Sequence, residues 1–143
     1  MTTSSSEQDA YDELCGYTLA HARGDVSFIH QHVVDAFAAQ RADGHSKPIA
    51  VVFALVGLYL HLERQLSGRQ VQRIHMRLAR KKREWPRCVL PRDRGTITAI
   101  DVMAAPPGRL RDQAIDAWCA SVWNAFVASR REIIELLKQD GIE

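Results

Sequence analysis

The sequence has too few cysteines for a disulfide framework or a zinc ribbon. Its 143 residues include only three, Cys15, Cys88 and Cys119, which lie far apart and form no CxxC pair. Domains that are stabilised by disulfide bonds or by a bound zinc ion need paired cysteines at close spacing, so the sequence indicates neither class. Reduced thiols in the cytoplasm are the simplest interpretation.

Long hydrophobic runs and a secretory leader are also lacking. The longest apolar run, residues 49–60, has 12 residues, whereas a membrane-spanning helix needs about 20. The first ten residues, MTTSSSEQDA, are polar and acidic, without the basic and apolar regions of a signal peptide. We therefore expect a cytoplasmic protein that does not enter a membrane.

Strand-like alternation is absent, and apolar residues recur instead at helical spacing. We predict an all-α fold, a compact bundle of about five helices with a central apolar helix over 49–65 and a long C-terminal helix over 108–138. Two capping boxes, Ser67 with Gln70 and Thr98 with Asp101, indicate where two of the helices begin. The hydrophobic fraction of 46% is that of a globular protein, so residues 7–143 are expected to form one helical domain behind a disordered tail, residues 1–6.

Charge is unevenly distributed along the chain. Eleven of the 19 lysines and arginines lie within residues 64–94, which hold only two of the 17 acidic residues. Five basic residues of this segment are spaced three or four positions apart, so they form one ridge along a helix. The members of the ridge are Arg69, Arg73, Arg77, Arg80 and Lys81.

A ridge of guanidinium groups suits contacts with phosphate, including those of a nucleic acid. No RNP-type aromatic motif, helix-turn-helix or glycine-rich phosphate loop accompanies it. An equally economical alternative is that acidic residues elsewhere in the fold neutralise the ridge. Candidates for that pairing are Asp9, Asp12, Glu13, Asp112 and Asp116.

The segment FIHQHVVDAF, residues 28–37, places histidines and an aspartate in apolar surroundings. Three packed helices could bring imidazole and carboxylate groups together as ligands of a divalent metal such as Zn or Fe. The predicted set is His30, Glu63 and His75, supported by His32, Asp35 and His61.

The two histidines of this segment are expected to face different surroundings. They are two residues apart, which separates them by about 200° around a helix, and we predict that His30 faces the polar cluster while His32 and Asp35 lie nearer the surface. His32 and Asp35 share a helix face and could act as an imidazole and carboxylate pair in general-base chemistry. The alternative is local satisfaction, with Glu63 paired to Arg64 or to an arginine of the next helix.

The chain contains a motif of the form H-Q-x-x-V-D-x-(F or Y)-A-x-Q, an L-E pair and two tryptophans. In these features it resembles a family of small bacterial helical proteins of unknown function. Some members also carry an N-terminal cysteine pair and histidines in the last helix, where this sequence has Ser129 and Arg130. The matching residues are His30, Gln31, Val34, Asp35, Phe37, Gln40, Leu62, Glu63, Trp118 and Trp123.

The resemblance implies a helical fold and no established activity. From the residues we expect a non-enzymatic binding or interaction protein, a homodimer, whose basic helix faces an acidic or phosphate-bearing partner. The alternative is a metal-binding bundle or metal-dependent enzyme that uses the histidine and glutamate cluster.

Overall fold

Seven α-helices and one 3-10 helix make up the part of the chain that the computed structural model describes, residues 3–20 and 25–142. No strand occurs within these residues, so the predicted all-α class is confirmed. None of these helices has the length and hydropathy needed to cross a membrane. The helices are α1 (Thr3–Ala20), α2 (Ile29–Arg41), α3 (Pro48–Glu63), α4 (Gly68–Ala79), α5 (Ala99–Ala104), α6 (Arg109–Ala125), the 3-10 helix (Val127–Ser129) and α7 (Arg130–Gln139).

The apolar run predicted as a helix over 49–65 forms α3. Pro48 occupies its first turn, where the missing N–H has no partner to lose. Nine of the ten residues from Val51 to Leu60 are buried, because α3 packs against α2, α4, α6 and α7. This helix is the element around which the hydrophobic core is built.

The predicted single C-terminal helix over 108–138 is wrong. The helix ends at Ala125, Phe126 leaves the helical conformation, and α7 starts afresh at Arg130 after the 3-10 helix. The physical reason is burial: the break lets α7 lie against α3 with Ile133 and Leu137 inside the core. A straight continuation would have left these two apolar side chains without that partner.

Both predicted capping boxes are confirmed. The Ser67 side-chain oxygen accepts a hydrogen bond from the Gln70 amide at 3.2 Å, and the Gln70 side chain accepts one from the Ser67 amide at 2.8 Å. At the start of α5, Asp101 accepts from the Thr98 amide at 2.9 Å. These local patterns fix two helix starts without help from the rest of the fold.

The start of α4 is docked on the residues that precede α2. Phe28 adopts the left-handed conformation, with φ at 41°, and the Gly68 amide donates to the Ser27 carbonyl at 2.6 Å. A Cβ atom on Gly68 would lie 2.0 Å from the Phe28 carbonyl oxygen, so only glycine permits this approach. The contact brings the N-terminus of α4 beside the first turn of α2.

The N-terminal predictions are only partly covered by the described residues. Helix α1 already begins at Thr3, within the segment predicted to be a tail, whereas Met1 and Thr2 lie outside the described residues. Residues 21–24, which follow α1, also lie outside the described residues.

Candidate functional site

The orientation of the two histidines in α2 is opposite to the one predicted. His32 and Asp35 are 4% and 3% exposed, while His30 is half-buried, with its Nδ1 atom 2.9 Å from the Thr18 hydroxyl on α1. Helix α2 packs most closely against α3, and the face that meets it carries His32, Asp35 and the small residues Ala36 and Ala39. The prediction that His30 faces inward is therefore wrong.

Asp35 is buried where α2 and α3 approach each other. Its Oδ1 atom accepts a hydrogen bond from the Gln31 side chain at 3.1 Å, and its Oδ2 atom has no hydrogen-bond partner within residues 3–20 and 25–142. Burial raises the pKa of the Asp35 carboxyl well above its usual range, and the bond from Gln31 offsets this only in part. A Cβ atom at Gly57 would lie 1.7 Å from Oδ2, so the carboxyl occupies the space that this glycine leaves.

His32 belongs to a cluster that joins three helices. Its ring stacks on that of His61 in α3, with centroids 3.6 Å apart and an angle of 15° between the planes. The Nε2 atom of His61 lies 3.0 Å from an oxygen of Asp116 in α6. On the inner side, the Cys119 thiol lies 3.7 Å from the His32 carbonyl oxygen and donates to it.

The two imidazoles of this cluster have different surroundings. Burial, together with a smaller contribution from the neighbouring His61, lowers the pKa of His32 to about 3, while Asp116 opposes the shift. His32 is therefore neutral at physiological pH, and its buried Nδ1 atom finds no hydrogen-bond partner in the part of the chain that the structure describes. His61 is held by Asp116, a pairing that orients an imidazole in many acid–base sites.

A cleft of about 370 Å³ opens at this cluster, between the residues before α2, the start of α4, and α6. A second cleft of about 420 Å³, at the ends of α1 and α6, shares Ile29 and Asp112 with the first. The polar residues that line the first cleft include His32, His61, Gln65, Gln70, Asp112 and Asp116.

The predicted metal set is not brought together. Glu63 accepts two hydrogen bonds from the Arg130 Nε atom, one from its Nη2 atom at 2.6 Å, and one from the Trp123 indole at 2.8 Å. His75 lies with Nε2 2.8 Å from the Phe53 carbonyl oxygen and stacks on the Phe53 ring. Within residues 3–20 and 25–142, no three His, Cys, Asp or Glu side chains form a candidate metal site.

The predicted basic ridge divides into a fixed part and an exposed part. In the fixed part, the Arg69 guanidinium lies 3.9 Å above the Phe28 ring, and Arg77 donates to the Asp140 carbonyl at 2.6 Å. Lys81 lies 3.8 Å from the Asp140 carboxylate, which also accepts two bonds from Arg83. These contacts tie the end of α4 to the C-terminus of α7.

The exposed part of the ridge that makes no such contact consists of Arg73, in α4, and Arg80, at its C-terminal cap. Together with the exposed Lys82 and Arg87 of the following segment they form what we call the basic surface. None of its four side chains has an ion pair among the described residues. The acids predicted as ridge partners on α6 are used elsewhere, since Asp112 accepts from Tyr17 and Asp116 binds His61.

The protein is an all-helical bundle in which most buried polar groups form hydrogen bonds with other groups of the chain. The chain belongs to DUF5946, a family of unknown function whose model matches residues 3–127. The match spans α1 to α6, and it confirms the resemblance inferred from the sequence motifs. Neither a curated protein nor a solved structure matches the chain.

Proposed function

We propose that the protein is a cytoplasmic, non-enzymatic binding protein whose basic surface receives a phosphate-bearing partner. The observation that carries the proposal is the exposure of Arg73, Arg80, Lys82 and Arg87, which have no acidic partner among the described residues. Guanidinium groups recognise phosphate through paired N–H donors. An arginine on a fixed backbone loses less conformational entropy when it binds a phosphate.

The neighbouring contacts support a preorganised surface. Arg77 and Arg83 hold the end of α4 to Asp140 of α7, so the exposed cations project from an anchored segment. Met76 lies on the same face, 60% exposed, and offers an apolar contact between the charges. This combination of fixed backbone, free cations and one apolar side chain suits the sugar and phosphate chain of a nucleic acid.

Fluorescence anisotropy with a labelled mixed-sequence oligonucleotide tests the proposal. If the four cations each neutralise a phosphate of a single-stranded oligonucleotide, the plot of log affinity against log salt concentration has a slope of about −3. Arg73→Glu/Arg80→Glu is expected to weaken binding by at least about tenfold and to flatten the slope. The matched control is Arg64→Glu/Arg109→Glu, which changes the net charge equally outside the basic surface and uses exposed residues.

Two outcomes would overturn the proposal. Equal weakening by both double variants would mean that only the net charge matters. No binding to the oligonucleotide, together with salt-sensitive binding to a polyglutamate peptide, would replace the phosphate-bearing partner with an acidic protein.

The predicted homodimer is also part of the proposal, with a changed basis. The division of the C-terminal helix means that no single long helix presents an apolar face to a second copy of the chain. What now supports it are the exposed apolar side chains Leu19 and Leu110, on α1 and α6. Light scattering during gel filtration is expected to give twice the chain mass for the wild type and the monomer mass for Leu110→Lys.

The second interpretation, a metal-dependent bundle, is less well supported by the geometry. His30, Glu63 and His75 each have a different hydrogen-bond partner, on α1, on α6 and α7, and in the backbone of α3. Elemental analysis of untagged protein tests this interpretation directly, because one bound metal ion per chain would support a metal-dependent bundle.

A further inference from the structure

We propose that the partner of the basic surface is a single-stranded nucleic acid, one base of which stacks on Trp85. This inference rests on the proposed function, which requires only phosphate, and it adds a site for a base. The site is a cleft of about 590 Å³, which we call the Trp85 cleft. Its lining residues are Lys47, Pro48, Ile49, Glu84, Trp85 and Arg87.

The Trp85 ring is held in a fixed position. It meets the Phe53 ring of α3 nearly at right angles, with the two centroids 5.4 Å apart. The Arg83 guanidinium lies over the indole, 5.1 Å from its centroid, and Arg83 also donates to the Asp140 carboxylate. Because these contacts orient the indole before a ligand arrives, stacking on it costs little conformational entropy.

Trp85 nevertheless remains accessible to a ligand. It is partly exposed, whereas the other two tryptophans, Trp118 and Trp123, are 0% and 4% exposed. Its indole N–H forms no hydrogen bond within residues 3–20 and 25–142. An indole offers a flat apolar face together with one polar donor. Both are suited to a nucleobase, which has a flat face and acceptor atoms at its edge.

Two clefts meet at Trp85, and their charges differ. Three glutamates and two arginines line the cleft of about 540 Å³ on the side of α7. One of these arginines, Arg83, is already bonded to the Asp140 carboxylate. The side of Trp85 that faces α7 therefore repels phosphate groups, which leaves the Trp85 cleft as the site for an anionic chain.

The Trp85 cleft has an excess of positive charge. Lys47 and Arg87 line it, and Glu84 is the only acid among the described residues that do. Lys47 is exposed at the N-cap of α3 and forms no ion pair in the part of the chain that the structure describes. Since Arg87 also belongs to the basic surface, one strand can extend from that surface into the Trp85 cleft.

An aromatic platform beside cations favours a single strand. Bases in a duplex are stacked on one another, whereas unpaired bases offer their faces to aromatic side chains. Stacking tolerates any sequence, because every base has such a face. Glu84 is compatible with a bound base, since a carboxylate accepts a hydrogen bond from the amino group of cytosine.

Fluorescence anisotropy with three labelled ligands tests the proposal: a mixed-sequence single strand, an abasic strand with the same number of phosphates, and the matching duplex. The wild type is expected to bind the single strand at least about fivefold more tightly than the abasic strand, which is the gain from one stacked base. Trp85→Leu is expected to remove this advantage and to leave the affinities for the abasic strand and the duplex unchanged. Trp85→Phe, which keeps an aromatic face, is expected to restore most of it.

The matched control is Val89→Ala, which shortens an apolar side chain of the same segment that is 71% exposed and lies outside the cleft. It is expected to change none of the three affinities. The fold of each variant is verified by its melting temperature. Quenching of tryptophan fluorescence by an unlabelled single strand gives a second measurement, because Trp118 and Trp123 are buried and the change reports on Trp85.

The base site is refuted if the wild type binds the abasic strand as tightly as the single strand. It is also refuted if Trp85→Leu weakens both equally, because Trp85 would then act only through the shape of the basic surface. Either result leaves the proposed function intact, since phosphate is still bound. Failure of the proposed function looks different, because none of the three ligands would bind, and the base site would fall with it.

Discussion

Replacing Gly57 with alanine is expected to destabilise the protein strongly, although alanine is the better helix former. Gly57 lies in the middle of α3, and the added Cβ would lie 1.7 Å from Asp35 Oδ2 and 2.4 Å from its Cγ. Non-bonded carbon and oxygen atoms need more than 3 Å, so the buried carboxyl or a helix backbone must move. Asp35 is 3% exposed, which leaves the carboxyl little room.

The expected cost follows from this overlap. Overpacking in a close-packed core costs about 1–3 kcal/mol, and a collision with the carboxyl of a side chain that is 3% exposed places this case at the upper end, about 3 kcal/mol. For a domain of this size, each kcal/mol lowers the melting temperature by about 3–4 °C. Gly57→Ala is therefore expected to melt roughly 10 °C below the wild type.

Thermal and urea unfolding of a set of variants tests the reasoning. Gly16, also inside a helix but with nothing near its missing Cβ, is the matched control, and Gly16→Ala is expected to stabilise the protein by about 0.5–1 kcal/mol. In Asp35→Ala/Gly57→Ala the new methyl group enters the space vacated by the carboxyl. The double variant is expected to be more stable than the sum of its single changes by about 1–2 kcal/mol. Additive effects, or a neutral Gly57→Ala, would refute the close approach of α2 and α3.

Three further predictions concern single groups. Because burial raises the folded-state pKa of Asp35 above its unfolded value, the unfolded state loses this proton first, and the contribution of Asp35 to stability falls as pH rises from about 4 towards the raised value. Asp35→Asn removes that fall, so urea unfolding is expected to show the stability of the variant rising relative to that of the wild type as pH increases above about 4. A difference that does not change with pH would contradict this prediction. Ser67→Ala is expected to cost about 1 kcal/mol through the lost cap of α4, whereas Ser6→Ala, exposed in the first turns of α1, is expected to cost almost nothing. Arg130→Ala is expected to weaken the hold of α7 on α3, measured as faster amide hydrogen exchange in α7, with Arg131→Ala as the control that leaves exchange unchanged.

Features set by neighbouring residues could be predicted from the sequence. The two capping boxes are local, because each depends on residues three positions apart. The run that forms α3 is apolar on all sides, so its burial in the core follows from its composition. The spacing of Arg73, Arg77 and Arg80 likewise predicts one helix face, whatever lies around it.

Features that depend on distant contacts could not be predicted. The partner of Glu63 is Arg130, 67 residues away, and the partner of His61 is Asp116, 55 residues away. Helical spacing also gives no preference between His30 and His32, since either could face inward until the packing of α2 on α3 is known. The break after Ala125 has no proline or glycine to signal it and results from the burial of Phe126 and α7.

The division of the basic ridge has the same origin. Arg77 and Arg83 are used by Asp140 only because the end of α7 returns to α4, a contact that neither segment indicates alone. The basic segment of the sequence thus has two parts in the structure. Arg77 and Arg83 join the end of α4 to α7, and four other cations form the exposed basic surface. Of these two parts, only the exposed surface is free to bind a partner.

The measurement that tests this account most directly is a nitrogen-15 NMR titration of the labelled chain with tripolyphosphate. The account predicts shift changes that saturate and are confined to the amides and guanidinium groups of α4 and of residues 80–87, with Arg73 and Arg80 moving most. Changes spread evenly over all arginines, or centred on α6, would contradict a defined basic surface and with it the proposed function.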